Sequence, residues 1–332
     1  MPEGGAIQFR FRLVAEENLA SLSEMFDLCF GIKVDDRYFR WKYLGNPAGP
    51  VVAFEALDGD VPAAFYGVIP ELYVIQGQIS RIYQSMDTAT HPAYQRRGLF
   101  VKLATMTYER VKALDGHLEI IGFPGTQSHP GFVKKLGWKT VHDLPFLFAP
   151  VALLPLLSLG RRSGLRFEAL DGMSDELAGF LSKRHPRSPV AKHWSPAVFD
   201  WRTFKHPLHQ YRVVIVRDGG EIVGYCAYRI DTPKSCRIEW LEFVDEAAYR
   251  SHTRAVVAHV ARAAGTRYIY TWQPTNPMLR QGYEAAGLLR NRLGRGPFAG
   301  TEPYIVYADP ADGPGPAWFQ AGSYDLQPLV HD

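Results

Sequence analysis

Apolar residues along the first 150 positions change spacing several times, and each change marks an element. "IQFRFRLV" (7–14) alternates apolar and polar as a strand does, and "EENLASLSEMFDLCFG" (16–31) then takes helical spacing, with Gly31 as its stop. A short aromatic helix, "DRYFRWKYL" (36–44), comes next. Two apolar runs flank "LDGDVP" (57–62), whose Asp-Gly pair is a hairpin signal, and "RIYQSMDTAT" (81–90) reads as a further strand. Behind it, "VKLATMTYERVKAL" (101–114) is a helix, "HLEIIGFP" (117–124) a buried strand, "HPGFVKKLG" (129–137) a short helix closed by Gly137, and "WKTVHDLPFLFAP" (138–150) a last strand. The predicted order is strand, two helices, three strands, helix, strand, helix, strand, an α/β layered domain of 150 residues.

The remainder of the chain repeats this plan. "FRWKYLGNP" (39–47) returns as "FDWRTFKHP" (199–207), and a strand-turn-strand follows each copy. "FPGTQSHPGFVKKLGW" and "QPTNPMLRQGYEAAGL" each place a proline thirteen residues before a glycine that ends a short helix. A tandem duplication is expected: a first domain over 1–150, a linker over 151–164, a second domain over 165–310 and a Gly- and Pro-rich tail over 311–332, with Trp318 and Phe319 as its anchors.

Composition narrows the function classes. A net charge of +3 over 332 residues, with no run of five basic residues, gives no nucleic-acid stripe. Three cysteines without CxxC spacing, and histidines without matched ligands, point to a reducing cytoplasm and no metal site. The N-terminus lacks an apolar run behind a basic start, and the apolar segment 144–160 is broken by Pro145, Pro150 and Pro155, so neither a signal peptide nor a membrane span is expected. The number of subunits is not readable.

The chemistry concentrates at "HPAYQRRGLF" (91–100), between the strand 81–90 and the helix 101–114. A helix starting near Gly98 presents unpaired N–H groups and its positive dipole end to the turn, and Arg96 and Arg97 add charge, so the turn suits an anion. A surface turn with two solvated arginines has the same spacing. "THPAYQRRGLF" resembles the pyrophosphate-binding loop of the GNAT superfamily of acyl-CoA-dependent N-acyltransferases. Its pattern is Gln or Arg, two residues, Gly, one residue, then Gly or Ala; Gln95 and Gly98 match, and Phe100 departs from the last small residue.

That resemblance implies a tandem GNAT fold, with two mixed central sheets flanked by helices, and acetyl-CoA or another acyl-CoA as co-substrate. It implies backbone contacts from Thr88, Ala89 and Thr90 to the pantetheine arm, and phosphate contacts from Gln95, Arg96, Arg97, Gly98, Leu99, Phe100 and Val101. The thioester would lie near Pro124 and Gly125. Asp87 and His129 are the candidate bases, each with a structural alternative as a brace of its own strand or loop. The superfamily's acid tyrosine falls at Val133 in the first copy and at Tyr283 in the second, which lacks a Gly-containing phosphate turn and reads as degenerate. Glu239 and Glu242 of that copy are solvated or paired. The chain is also similar to N-acyltransferases of amino-sugar and surface-polysaccharide pathways, which implies a small-molecule amine acceptor, with Tyr38, Phe39, Trp41 and Tyr43 either a stacking wall or core. Aminoglycosides, polyamines and amino acids are other acceptors; an aminoacyl-tRNA-dependent enzyme and a non-catalytic CoA-binding regulator or scaffold are the rival classes.

Overall fold

A computed structural model describes residues 7–154, 164–183, 188–292, 295–296, 298–313 and 315–331. The residues fall into two units: one takes 1–71, 81–140 and 304–316, the other 72–80, 141–303 and 317–332. Each is a mixed sheet flanked by helices.

In the first unit, β1 (Arg10–Leu13) pairs antiparallel with β2 (Val52–Asp58), and β2 turns at Gly59 into β3 (Val61–Ile75). A second tight turn at Gln76 and Gly77, both with positive φ, returns the chain as β4 (Gln78–Thr90). β4 runs parallel to β5 (Glu119–Gly122). The helices are α1 (Leu22–Phe30), preceded by a 3-10 turn at Glu16–Ser21; α2 (Asp36–Phe39), continued by a π turn at Arg40–Leu44; α3 (Leu99–Asp115); and α4 (His129–Leu136). Element types and order are those the hydrophobic spacing predicts, with the first helix divided between two geometries.

Alternation along β3 explains the layering. Phe65 points to the α1 and α2 side, 6.0 Å from Phe26 and stacked on Tyr43, while Tyr66 points to the α3 side and meets Tyr108 Oη at 3.1 Å. Trp138 Nε1 donates to that same Tyr108 hydroxyl at 2.8 Å and so closes the core under α3.

The second unit repeats the pairing. β6 (Lys139–Pro150) crosses into it; then come β7 (Arg166–Leu170), β8 (Val190–Lys192), β9 (Tyr211–Asp218), β10 (Glu221–Thr232), β11 (Ser235–Phe243) and β12 (Tyr268–Trp272). Its helices are α5 (Asp175–Ser182), α6 (Pro196–Arg202), α7 (Glu246–Ala264) and α8 (Pro277–Ala285). β7, β9, β10 and β11 are antiparallel neighbours, and β11 is parallel to β12, as β4 is to β5.

Each sheet is completed by a strand from the opposite half of the sequence. After β13 (Leu289–Arg290), β14 (Thr301–Ala308) pairs Ile305–Ala308 with Gly122–Glu119 of β5, whereas β6 pairs Phe146–Pro150 with Trp272–Tyr268 of β12. The compact units therefore do not follow the expected linear boundaries at 150 and 310. Of the expected linker 151–164, only 151–154 and 164 lie within the described residues. The tail is bound rather than loose: β15 (Tyr324–Asp325) pairs with β8, Trp318 is buried, and Gln327 bonds both backbone groups of Leu241 at 2.8 and 3.2 Å.

Candidate active site

Strands β4 and β5 separate where the chemistry is expected. Their parallel pairing runs from Tyr83–Ile120 to Ser85–Gly122 and stops, while β4 continues five residues to Thr90. The backbone of Thr88, Ala89 and Thr90 thus has no β5 partner on that side. Pro124 and Gly125 follow the end of β5; Pro124 is buried and Gly125 exposed.

Beyond Thr90, the amide of His91 bonds the Ala63 carbonyl at 3.0 Å, and the Tyr94 hydroxyl donates to Asp58 at 2.9 Å, which fixes a 3-10 turn at Pro92–Tyr94. Gln95, Arg96, Arg97 and Gly98 are exposed. Arg96 and Gly98 have φ of 64° and 78°, and Gly98 stands at the N-terminus of α3 with no side chain capping it. The first bond into the helix runs from the Lys102 N–H to the Gly98 carbonyl at 3.1 Å, so the N–H groups of the preceding turn meet no carbonyl of the helix. A Cβ built on Gly98 meets no heavy atom within 4 Å.

Phe100 packs inward. Its ring sits 5.1 Å from Phe132 and 6.0 Å from Tyr66, and a Cβ placed on Gly131 of α4 would lie 3.2 Å from it. The small residue expected at 100 is met by a small residue at 131, so the first turn of α3 is tied to α4 rather than pressed toward the loop. Leu99 is buried beneath it, and Val101 is half-buried.

Asp87 is the most constrained residue of the site. It adopts φ 55° within a strand, a conformation that costs about 1–3 kcal/mol for a non-glycine residue and persists only when its surroundings impose it. Those surroundings are the aromatic helix. Lys42 Nζ lies 2.8 Å from Asp87 Oδ2, and the Tyr43 hydroxyl donates to the same oxygen at 2.8 Å. Lys42 is 2% exposed and also donates to the Tyr38 hydroxyl at 3.0 Å. Among the described residues, Asp87 Oδ1 has no protein donor, and its side chain is 17% exposed. One carboxylate oxygen is clamped, and the other takes no part in the clamp.

The other expected residues divide. His129 Nε2 lies 2.8 Å from Thr140 Oγ1, and no hydrogen bond or ion pair among the described residues joins it to Asp87. Tyr38, Phe39 and Tyr43 are buried, so the aromatic helix is core; Trp41, half-exposed and 5.8 Å from the Tyr38 ring, is its accessible member. Tyr283 lies in the second unit, where it is wholly buried among Leu279, Cys226 and Val257, and burial pushes its phenol well above the usual range. Solvent does not reach it, which corrects the expectation of an accessible acid.

In that unit α7 starts differently from α3. The Asp245 carboxylate accepts from the Ala248 N–H at 2.8 Å, occupying the helix end that Gly98 leaves open in the first unit. Glu239 and Glu242 are buried and paired, Glu239 with Arg229 and Arg237 at 2.6 and 2.8 Å, and Glu242 with Tyr225 and Trp240.

Sequence reasoning missed Lys42 and Tyr43 as partners of Asp87. The available signal was a lysine within an aromatic run, recurring as an arginine at 202, and both cations are buried. It also missed Cys29 of α1, which stands at the Thr90 backbone with its thiol pushed up by burial.

Comparisons with known proteins bear on the fold. Residues 10–141 match the family model of the acetyltransferase (GNAT) domain. A conserved protein of unknown function from Enterococcus faecalis V583, described as a probable N-acyltransferase, superposes with a TM-score of 0.66 at 11% identity, over 91% of this chain and 72% of that one. A tandem GNAT protein from the clavulanic acid biosynthesis pathway gives 0.62 at 13% identity, over 91% of this chain and 98% of the other. An N-myristoyltransferase of Saccharomyces cerevisiae with bound myristoyl-CoA gives 0.60 at 11% identity, over 92% and 80%. At these identities the likeness is one of fold. No curated protein matches the sequence.

Proposed function

We propose that the protein transfers an acyl group, acetyl in the simplest case, from acyl-CoA to a primary amine of a small molecule. One observation carries the reading. The strand that parts from β5 after Ser85 ends in a turn whose uncapped helix terminus points past Gly98, and on the same strand Asp87 keeps one carboxylate oxygen open.

The residues fit the co-substrate. The open space at Gly98 and the unpaired amides of 96–101 suit a diphosphate, with Arg96 and Arg97 at its rim. Thr88 to Thr90 offer an amide-bearing arm a stretch of backbone without a β5 partner, and Pro124 and Gly125 follow the end of β5. When bound, acyl-CoA supplies the activated carbonyl. The amine nitrogen attacks that carbon, the C–S bond breaks, and an amide and CoA thiol result. Asp87 Oδ1 takes the proton the amine loses, and a backbone N–H of the unpaired β4 segment meets the developing oxyanion. Val133 stands where a tyrosine acid would serve, so water returns the proton to the thiolate.

The second unit acts as a degenerate copy with no phosphate turn of its own; the Asp245 cap supports this. Within the amine class, an amino sugar, free or nucleotide-linked, is the acceptor we favour. Half-buried Trp41, on the same helical turn as the residues that clamp Asp87, supplies one apolar ring face against which a sugar can lie.

The test is release of CoA thiol from acetyl-CoA by the purified chain with glucosamine, a uridine-diphosphate amino sugar, spermidine, lysine and kanamycin. Thiol release that depends on one of the sugars supports the full reading, and release with another amine keeps the reaction and changes the acceptor. Tight CoA binding with no release from any amine would make the protein a binding module.

A further inference from the structure

We infer that Lys42 is a positioning residue of the acyl-transfer site: with Tyr43 it holds Asp87 by Oδ2 alone and so fixes Oδ1 in place to take the acceptor amine's proton. The inference rests on the reading above and adds to it a residue from a different element.

Four features converge. Lys42 Nζ and the Tyr43 hydroxyl lie at equal distances, 2.8 Å, from one oxygen of a two-oxygen group, which fixes the carboxylate's rotation as well as its place. Lys42 is itself held by Tyr38 at 3.0 Å and is 2% exposed, so the clamp has little freedom. Asp87 takes a left-handed backbone inside a strand, where a merely structural ion pair needs no such conformation. The strand leaves its parallel partner two residues earlier, so the carboxylate stands at the start of the unpaired segment. The groups facing Asp87 are Lys42 and Tyr43 of the aromatic helix, with Tyr38 behind Lys42. Cys29 of α1 stands three residues along β4, at Thr90.

The inference gives Lys42 a signature that packing alone lacks. With acetyl-CoA and glucosamine, or the amine of the panel that releases most thiol, Lys42→Met should lower kcat about 10-fold or more and leave the KM for acetyl-CoA within about twofold. Lys42→Arg should recover most of the rate. In a double-mutant cycle, Lys42→Met should cost nothing further once Asp87→Asn is present, because the group it positions has gone. Should K42M not fold, the K42M/D87N pair, which carries neither charge, and Tyr43→Phe bear the same test: K42M/D87N should match D87N, and Y43F should lower kcat at constant KM for acetyl-CoA. A K42M enzyme with unchanged kcat, or additive losses in the cycle, overturns the inference and leaves the acyl-transfer reading standing. A wild-type chain that releases no thiol with any amine overturns both.

Discussion

At the scale of single residues, two conformations unusual for their neighbourhoods mark the site. Gly98 turns into α3 with φ 78° and has open space where a side chain would be. Replacing it by leucine should cost about 1–2 kcal/mol of stability through the left-handed backbone and weaken CoA binding about 10-fold or more, since the side chain enters the space before the helix amides. Titration calorimetry with CoA checks this, and unchanged affinity would remove the loop assignment. Asp87→Asn keeps the shape and hydrogen bonds of the strand but cannot take a proton. Turnover should fall about 10² to 10⁴-fold with CoA affinity unaltered, and equal turnover would return Asp87 to a brace. Away from the site, His259 lies flat on Phe167 at 4.1 Å, and burial, with Arg262 nearby, holds its pKa below the usual 6.5. The unfolded chain then binds this proton more readily than the folded one, so stability is fully present above pH 6.5 and is lost as pH falls through the depressed folded value. His259→Gln should flatten that part of a denaturation series between pH 7 and 5.

At the scale of elements, the spacing of apolar residues located nearly everything in the first half, because strands and helices there carry one buried face each and periods of 2 and 3.6 are legible locally. It did not show that α2 runs into a π turn at Arg40–Leu44, nor what Phe100 touches. The latter contact joins two helices. Phe100 on the first turn of α3 rests against Gly131 and Phe132 of α4, so α4 sets the position of the amides that face the loop. Gly131→Val should push the ring away and lower CoA affinity without altering any loop residue. Phe100→Ala should cost about 2–4 kcal/mol, read from urea denaturation, because it empties a contact shared with Tyr66 and Phe132. If either variant keeps both wild-type stability and affinity, the coupling between the helices is absent.

At the scale of the whole molecule, the duplication visible in sequence becomes two sheets that trade their last strands. β14, from the second half of the sequence, covers the edge of β5, and Lys112 of α3 holds the segment beyond it through Asp309 at 2.5 Å and Asp312 at 3.0 Å. A chain ending at residue 300 should therefore leave the β5 edge of the first unit open and aggregate, although it retains the whole segment that matches the GNAT domain model. Expressing 1–160 and 161–332 together should restore solubility that neither fragment has alone. Soluble, monomeric 1–160 with native CoA affinity would contradict this.

By itself the sequence determined the element order, the internal repeat, the glycine turn into a helix at 95–101 and the contrast between an open helix start in one half and a Gly-free one in the other. These are set by residues a few positions apart, where periodicity and backbone preference act directly. Only the tertiary structure decided that Lys42 and Tyr43 converge on Asp87 across 45 and 44 positions, that Tyr283 is sealed in a core, and that each sheet borrows its final strand. The physical reason is common to all three. Burial, ion pairing and strand-edge pairing depend on which distant segments share a surface, and a hydrophobic pattern states that a face must be covered without naming what covers it.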